Sequence, residues 1–184
     1  ASLMKHSEVC VPVGTAAQSV ETAWNSVKVA EKVSLKVSVP VSAVQMEYKC
    51  SKKPPVVKEM AASLIAECKK YTDNVEFSAE DAIRAEKDFL YDVIRAAIAA
   101  GAKRINICDS EGTIMPSEIY DFVKAVFENI PELKDVTLSV ELSDQLNMAV
   151  ACAFSAIAAG AGEIKTTVEG FGYPSIENVM NVFK

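Results

Sequence analysis

The residues with the clearest chemical capacity fall into four short pairs: Ser78 with Glu80, Asp109 with Ser110, Glu141 with Ser143, and Thr167 with Glu169. Each pair lies at or just beyond the C-terminal end of a short β-branched run, and so at the end of an expected strand. Glu80 and Asp109 are the catalytic candidates, and Ser78, Glu80, Ser110 and Thr167 are the candidates for holding a substrate. If Glu80, Asp109, Glu141 and Glu169 shared one mouth, their charges would repel unless protonated or bridged by a cation. Oxygen-only ligation would then suit Mg2+ or Ca2+, but splaying the side chains into water relieves the same repulsion, so no cofactor is expected. As ordinary loop residues, Asp109 and Ser110 would cap a turn, and Glu80 would be solvated or paired with an arginine such as Arg84.

A second cluster is Gly170-Phe171-Gly172-Tyr173-Pro174-Ser175, just ahead of a short helix expected over 175–183. Exposed backbone N–H groups there could hold a phosphate, which makes Gly170, Gly172 and Ser175 the cofactor-binding candidates. A glycine turn with Ser175 as helix N-cap accounts for the same letters. The chain has one histidine, His6, which removes His-rich metal sites and leaves Ser-His-Asp or Cys-His chemistry only if His6 takes part. No residue is assigned as a metal ligand. The five cysteines are widely spaced and form no C-x-x-C, so neither a disulfide framework nor a zinc site is expected, and a reducing cytoplasm fits. Cys108, in a strand, and Cys152, in an apolar helix, read as buried small hydrophobes.

The elements that must position these residues alternate along the chain. Strands are expected at 8–13, 35–41, 74–77, 104–108, 136–141 and 164–168, with helices at 16–31, 54–71, 86–100, 116–129 and 144–159. In the third helix Phe89, Val93, Ile94, Ala97 and Ile98 trace one face, and Trp24 in the first reads as a core anchor. The run Ala97-Ile98-Ala99-Ala100-Gly101-Ala102 recurs as Ala156-Ile157-Ala158-Ala159-Gly160-Ala161, each copy ending a helix in a glycine able to turn left-handed. Spacing of this kind predicts βαβ units and a parallel sheet. Periodicity alone does not choose between an open doubly wound sheet and a (β/α) barrel, of which six units would be an incomplete copy.

Composition narrows the partners. Half of the 184 residues are apolar and 24% are charged, enough for one substantial core, with no low-complexity linker to divide it. The net charge of −6 opposes binding to nucleic-acid phosphates or anionic lipid, so no nucleic acid and no membrane is expected. The longest weakly polar run, 148–161, is too short for a membrane span, and the first residues show no secretory h-region.

Two segments carry a family resemblance. Val75-Glu76-Phe77-Ser78-Ala79-Glu80-Asp81-Ala82 followed by Ile105-Asn106-Ile107-Cys108-Asp109-Ser110-Glu111-Gly112 resembles the barrel of the 2-isopropylmalate synthase, homocitrate synthase and HMG-CoA lyase family. Met46-Glu47-Tyr48-Lys49, Leu138-Ser139-Val140 and Gly170-Phe171-Gly172 extend the likeness over most of the chain. The resemblance implies an α/β fold, a partial TIM (β/α) barrel whose six parallel strands correspond to strands three to eight. Residues 1–184 then read as a single HMGL-like domain lacking the first two βα units. It implies Claisen-type chemistry between an acyl-CoA and an α-keto acid, with a divalent ion polarising the keto oxygen. It also implies that Ser78, Glu80 and Ser110 match positions touching the keto acid.

The departures weigh as much as the likeness. Where the family has an H-x-H-N-D run after its seventh strand, this chain has Glu141-Leu142-Ser143-Asp144-Gln145, and other family histidines appear as Lys36 and Gln45. The expected reading is therefore a degenerate barrel without the family metal site, acting as a binding or assembly subunit. The alternative is a divergent synthase or lyase whose site a partner chain completes. In either case two open strand edges should recruit a second copy or a companion chain.

Overall fold

Alternation within the strands sorts the side chains onto two faces. In β2 (Val33–Pro40), Val33, Leu35, Val37 and Val39 are buried on one face, while Ser34, Lys36 and Ser38 belong to the other. The computed structural model, which describes residues 4–182, repeats this pattern in β3 (Val75–Glu80), β4 (Arg104–Asp109) and β5 (Thr137–Leu142). With β1 (Val9–Val13) and the two-residue β6 (Glu163–Ile164), they form a six-stranded sheet among the described residues, parallel throughout and in the order β1-β2-β3-β4-β5-β6. A doubly wound sheet reverses its strand order at a switch point. This one does not, and the winding is that of a barrel.

The apolar face is covered by α1 (Ala17–Val27), α3 (Pro54–Cys68), α4 (Lys87–Ala99), α5 (Pro116–Asn129) and α6 (Ala149–Ala159). Ile65, Leu90, Ile94, Ile119 and Ala153 are fully buried against Leu35, Phe77, Ile105 and Val140. Prolines open α3 and α5, where the missing N–H costs nothing, and the Glu86 carboxylate accepts from Asp88 N–H and Phe89 N–H to start α4. Both glycines of the repeated run are left-handed, Gly101 at φ 108° and Gly160 at φ 119°. A short helix α2 (Ala43–Gln45) continues into a π-helical turn, Met46–Cys50, and α7 (Ile176–Val182) follows the last strand.

Four expectations need correction. The sixth strand does not run through 164–168, because beyond Lys165, whose N–H still bonds Val140 O at 2.8 Å, the backbone turns to its own loop: Thr167 N–H bonds Pro174 O at 3.0 Å and Ile176 N–H bonds Thr167 O at 3.0 Å. The helix expected from 144 begins at Ala149, since Asn147 is left-handed at φ 56° and Asp144 accepts from Ala149 N–H at 2.8 Å. The first two long helices stop at Val27 and Cys68, short of 31 and 71. Trp24 is half-buried, tilted against Tyr71 with ring centroids 5.9 Å apart, and is no core anchor. Residue 183, the last of the helix expected over 175–183, lies outside the described residues. No helix among the described residues is long and apolar enough to cross a membrane.

Candidate functional site

The polar face of the sheet is the inner wall of the barrel segment, and its lower part is a lattice of charges. Parallel register sets Lys36, Glu76, Arg104 and Thr137 side by side across β2 to β5, with Ser38, Ser78, Asn106, Ser139 and Glu163 in the next row. Glu76 is fully buried and lies 3.3 Å from Arg104 Nη1 and 2.9 Å from Lys165 Nζ. Arg104 also reaches Glu8 at 3.1 Å and Glu163 at 2.8 Å. Burial alone would lower the Lys165 pKa, but hydrogen bonds to Glu163 and Glu76 outweigh it and hold the ammonium above the ordinary lysine range. Glu8 is held below the usual carboxylate range: burial opposes this, and hydrogen bonds from Ser34, Asn74 and Arg104 prevail.

One row higher the chemistry is quieter. Asn106 Nδ2 donates to Ser78 Oγ at 3.0 Å, to Cys108 Sγ at 3.3 Å and to Glu141 Oε2 at 2.8 Å. Lys36 Nζ lies 2.9 Å from the same Glu141 oxygen. Burial tends to lower the Lys36 pKa, yet the hydrogen bond and charge of Glu141 raise it overall. Burial first, then the Glu141 charge, push the Cys108 thiol up to about 12, and burial brings Cys152 to about 11. Both stay protonated at neutral pH, as buried hydrophobes rather than nucleophiles.

The predicted site residues part company at the rim. Ser78 is fully buried in the Asn106–Cys108 cluster, whereas Glu80, two residues on, reaches Lys49 at 2.9 Å. Arg84 is not its partner: the guanidinium is 2.6 Å from Asp81 and 3.0 Å from Glu111. Asp109 falls on the opposite face of β4 from Cys108, and its Oδ1 accepts from Glu111 N–H at 3.1 Å and Gly112 N–H at 3.0 Å. Gly112 is left-handed at φ 66°, and a Cβ there would lie 2.5 Å from Ser143 O, so the D-x-x-G spacing builds a turn locked to the next strand loop. Ser110 is exposed beside it. Thr167 lines a cleft of about 160 Å³ with Glu141, Lys165, Thr166 and Tyr173. Gly170 and Gly172 are left-handed at φ 74° and 75°, and Ser175 Oγ accepts from Asn178 N–H at 3.0 Å, capping α7.

The four carboxylates do not meet: Glu80 pairs with Lys49, Asp109 turns away, Glu141 pairs with Lys36, and Glu169 sits exposed in the loop. Among the described residues no group of three or more His, Cys, Asp or Glu side chains is placed to hold a metal ion. Sequence reading passed over Glu76, Arg104, Asn106, Glu163 and Lys165. Their signal was the strict polar alternation inside each strand, which marks an inner wall of polar side chains.

The family model described as HMGL-like matches residues 1–179. This chain belongs to the HMGL-like family. It is 41% identical over 155 residues to the 2-isopropylmalate synthase of Pyrococcus abyssi, a match covering 84% of this chain and 32% of that protein. It is 37% identical over 172 residues to the enzyme of the same name from Rhodopirellula baltica, covering 94% and 33%. The chain thus spans about a third of the length of these curated relatives. Hydroxymethylglutaryl-CoA lyase from Pseudomonas aeruginosa shares the fold at TM-score 0.77 and 13% identity, over 96% of this chain and 61% of that one.

The divalent ion that HMGL-like resemblance implies does not fit the groups at the strand-five mouth. Glu141 Oε2 is already taken by the Lys36 ammonium and the Asn106 amide, and both offer protons where an ion needs lone pairs. Ser143, two residues on, offers a neutral hydroxyl in place of an imidazole.

Proposed function

We propose that this chain is a degenerate HMGL-like barrel segment, corresponding to strands three to eight, that has lost the family's metal-dependent carbonyl chemistry. It serves as a binding or assembly subunit. The observation that carries this reading is the Lys36 ammonium 2.9 Å from Glu141, a fixed positive charge where the resemblance implies an ion. A divalent cation brought to that carboxylate would meet direct repulsion from the lysine. The five free thiols support a reducing, cytoplasmic setting.

The ligand proposed for this rim is a small α-keto acid: Thr167 lines the 160 Å³ cleft, while Glu80 and Ser110 stand outside its lining at the ends of β3 and β4 and Ser78 is buried beneath them. The Ser175 turn and its glycines remain the candidate phosphate contact. Assembly is supported by the edges of the sheet, β1 on one side and β6 on the other, whose outer backbone groups find no strand among the described residues. The β1 edge is poor in donors. Val9 N–H bonds Lys32 O, so Val9, Val11 and Val13 face β2, and of the outward pair Cys10 and Pro12 only Cys10 has an N–H.

Calorimetric titration with Mn2+, Mg2+ and an α-keto acid such as pyruvate tests the chemistry. Keto-acid heat that does not depend on metal is expected, and heat seen only with metal present would return the chain to the enzymes. Light scattering across a dilution series tests assembly, where a compact monomer at every concentration would end the subunit reading.

A further inference from the structure

Three ion pairs on the inner wall join strands that are not neighbours. Glu8, one residue before β1, meets Arg104 of β4 at 3.1 Å; Lys36 of β2 meets Glu141 of β5 at 2.9 Å; and Glu76 of β3 meets Lys165, one residue past β6, at 2.9 Å. Each link skips two strands, and together they are the three diameters of a ring of six. In a flat sheet strands three apart are separated by about 14 Å, while side chains stand roughly perpendicular to the sheet and do not reach across it. Such pairs exist only where the sheet curls toward them.

We infer that these cross-wall ion pairs are a clasp that holds the curl of the sheet, with the Arg104 guanidinium tying both outer strands to β4. Arg104 is the hub because one side chain meets Glu8 beside β1, Glu163 of β6 and Glu76 of β3. The outer strands have the least other support. β6 pairs with β5 over only two residues, and β1 is bonded on one side. The inner strands β3 and β4 are paired on both sides over four or more residues and packed beneath buried helices, so they do not need the clasp. The curl in turn fixes how far the β3 rim, with Glu80, stands from the β6 rim, with Thr167. Arg104 therefore sets the width of a mouth it does not itself line.

Native-state hydrogen exchange resolved by segment tests this on the full chain. Arg104→Met, which keeps bulk and removes charge, is expected to lower protection of β1 and β6 amides at least tenfold, and that of β3 and β4 amides by no more than this. The radius of gyration from small-angle scattering should rise with it. Unchanged β1 and β6 protection, or an unchanged radius of gyration, would overturn the clasp. Should Arg104→Met fail to fold, Glu8→Gln decides, since it removes one diameter at the chain's edge. A loss of β1 protection supports the clasp, and none defeats it.

Discussion

The lower inner wall and the rim above it are built from the same residue types and behave differently. Below, Glu76, Arg104, Glu163 and Lys165 share bonds at close range around a fully buried carboxylate. Above, Glu80 and Lys49 pair at a half-exposed rim, and Phe171 stands 90% exposed in the loop after β6. Charges that are desolvated together must be satisfied together, while charges left in water contribute little to stability and remain available. The wall's charges therefore satisfy one another, while those of the rim stay open to solvent.

The largest effect should come from breaking the wall. Arg104→Ala takes one cation from buried Glu76, which keeps Lys165 at 2.9 Å, and removes the guanidinium from Glu8 and Glu163, and urea denaturation should show a loss of about 3–5 kcal/mol, the usual cost of breaking a buried pair from one side. Gly112→Ala tests whether the rim has any rigid point: a Cβ 2.5 Å from Ser143 O forces the strand-four and strand-five loops apart, for a loss of roughly 2–4 kcal/mol.

Alkaline titration sharpens the contrast. Lys36 and Lys165 are raised above the ordinary lysine range, so their stabilisation is whole below the unfolded-chain value and lost as pH climbs through the folded one. Urea midpoints followed upward from neutral pH should decline in that range, and Lys165→Met should decline less steeply. Glu8, held low, acts in the opposite sense, contributing at neutral pH and losing its share as acid protonates it. The smallest change should be Glu80→Gln, which breaks an ion pair to a lysine side chain 54% exposed and should move stability by less than about 0.5 kcal/mol while weakening keto-acid binding in calorimetry.

Much of the fold could be read from letters because it is written locally. Helix-starting prolines, the two glycines that close α4 and α6, and the β-branched runs each act within a few residues of where they stand. The sixth strand is shorter than its letters suggest because Ile164-Lys165-Thr166-Thr167-Val168 has strand composition, while past Lys165 the hydrogen bonds go to Pro174 and Ile176 through a loop that no local pattern announces. The wall was missed for a related reason. Lys36 was legible only as a replaced histidine, and its bond to Glu141 spans 105 residues of sequence. Asp109 illustrates the converse: its place at a strand end suggested catalysis, whereas alternation from Cys108 already set it on the other face.

A charge carried on a lysine differs from a bound ion in one practical respect. It cannot be chelated, outcompeted by another element or lost when the supply runs short, because it is installed when the ribosome adds residue 36. Whatever the strand-five mouth does, its electrostatics are heritable rather than nutritional.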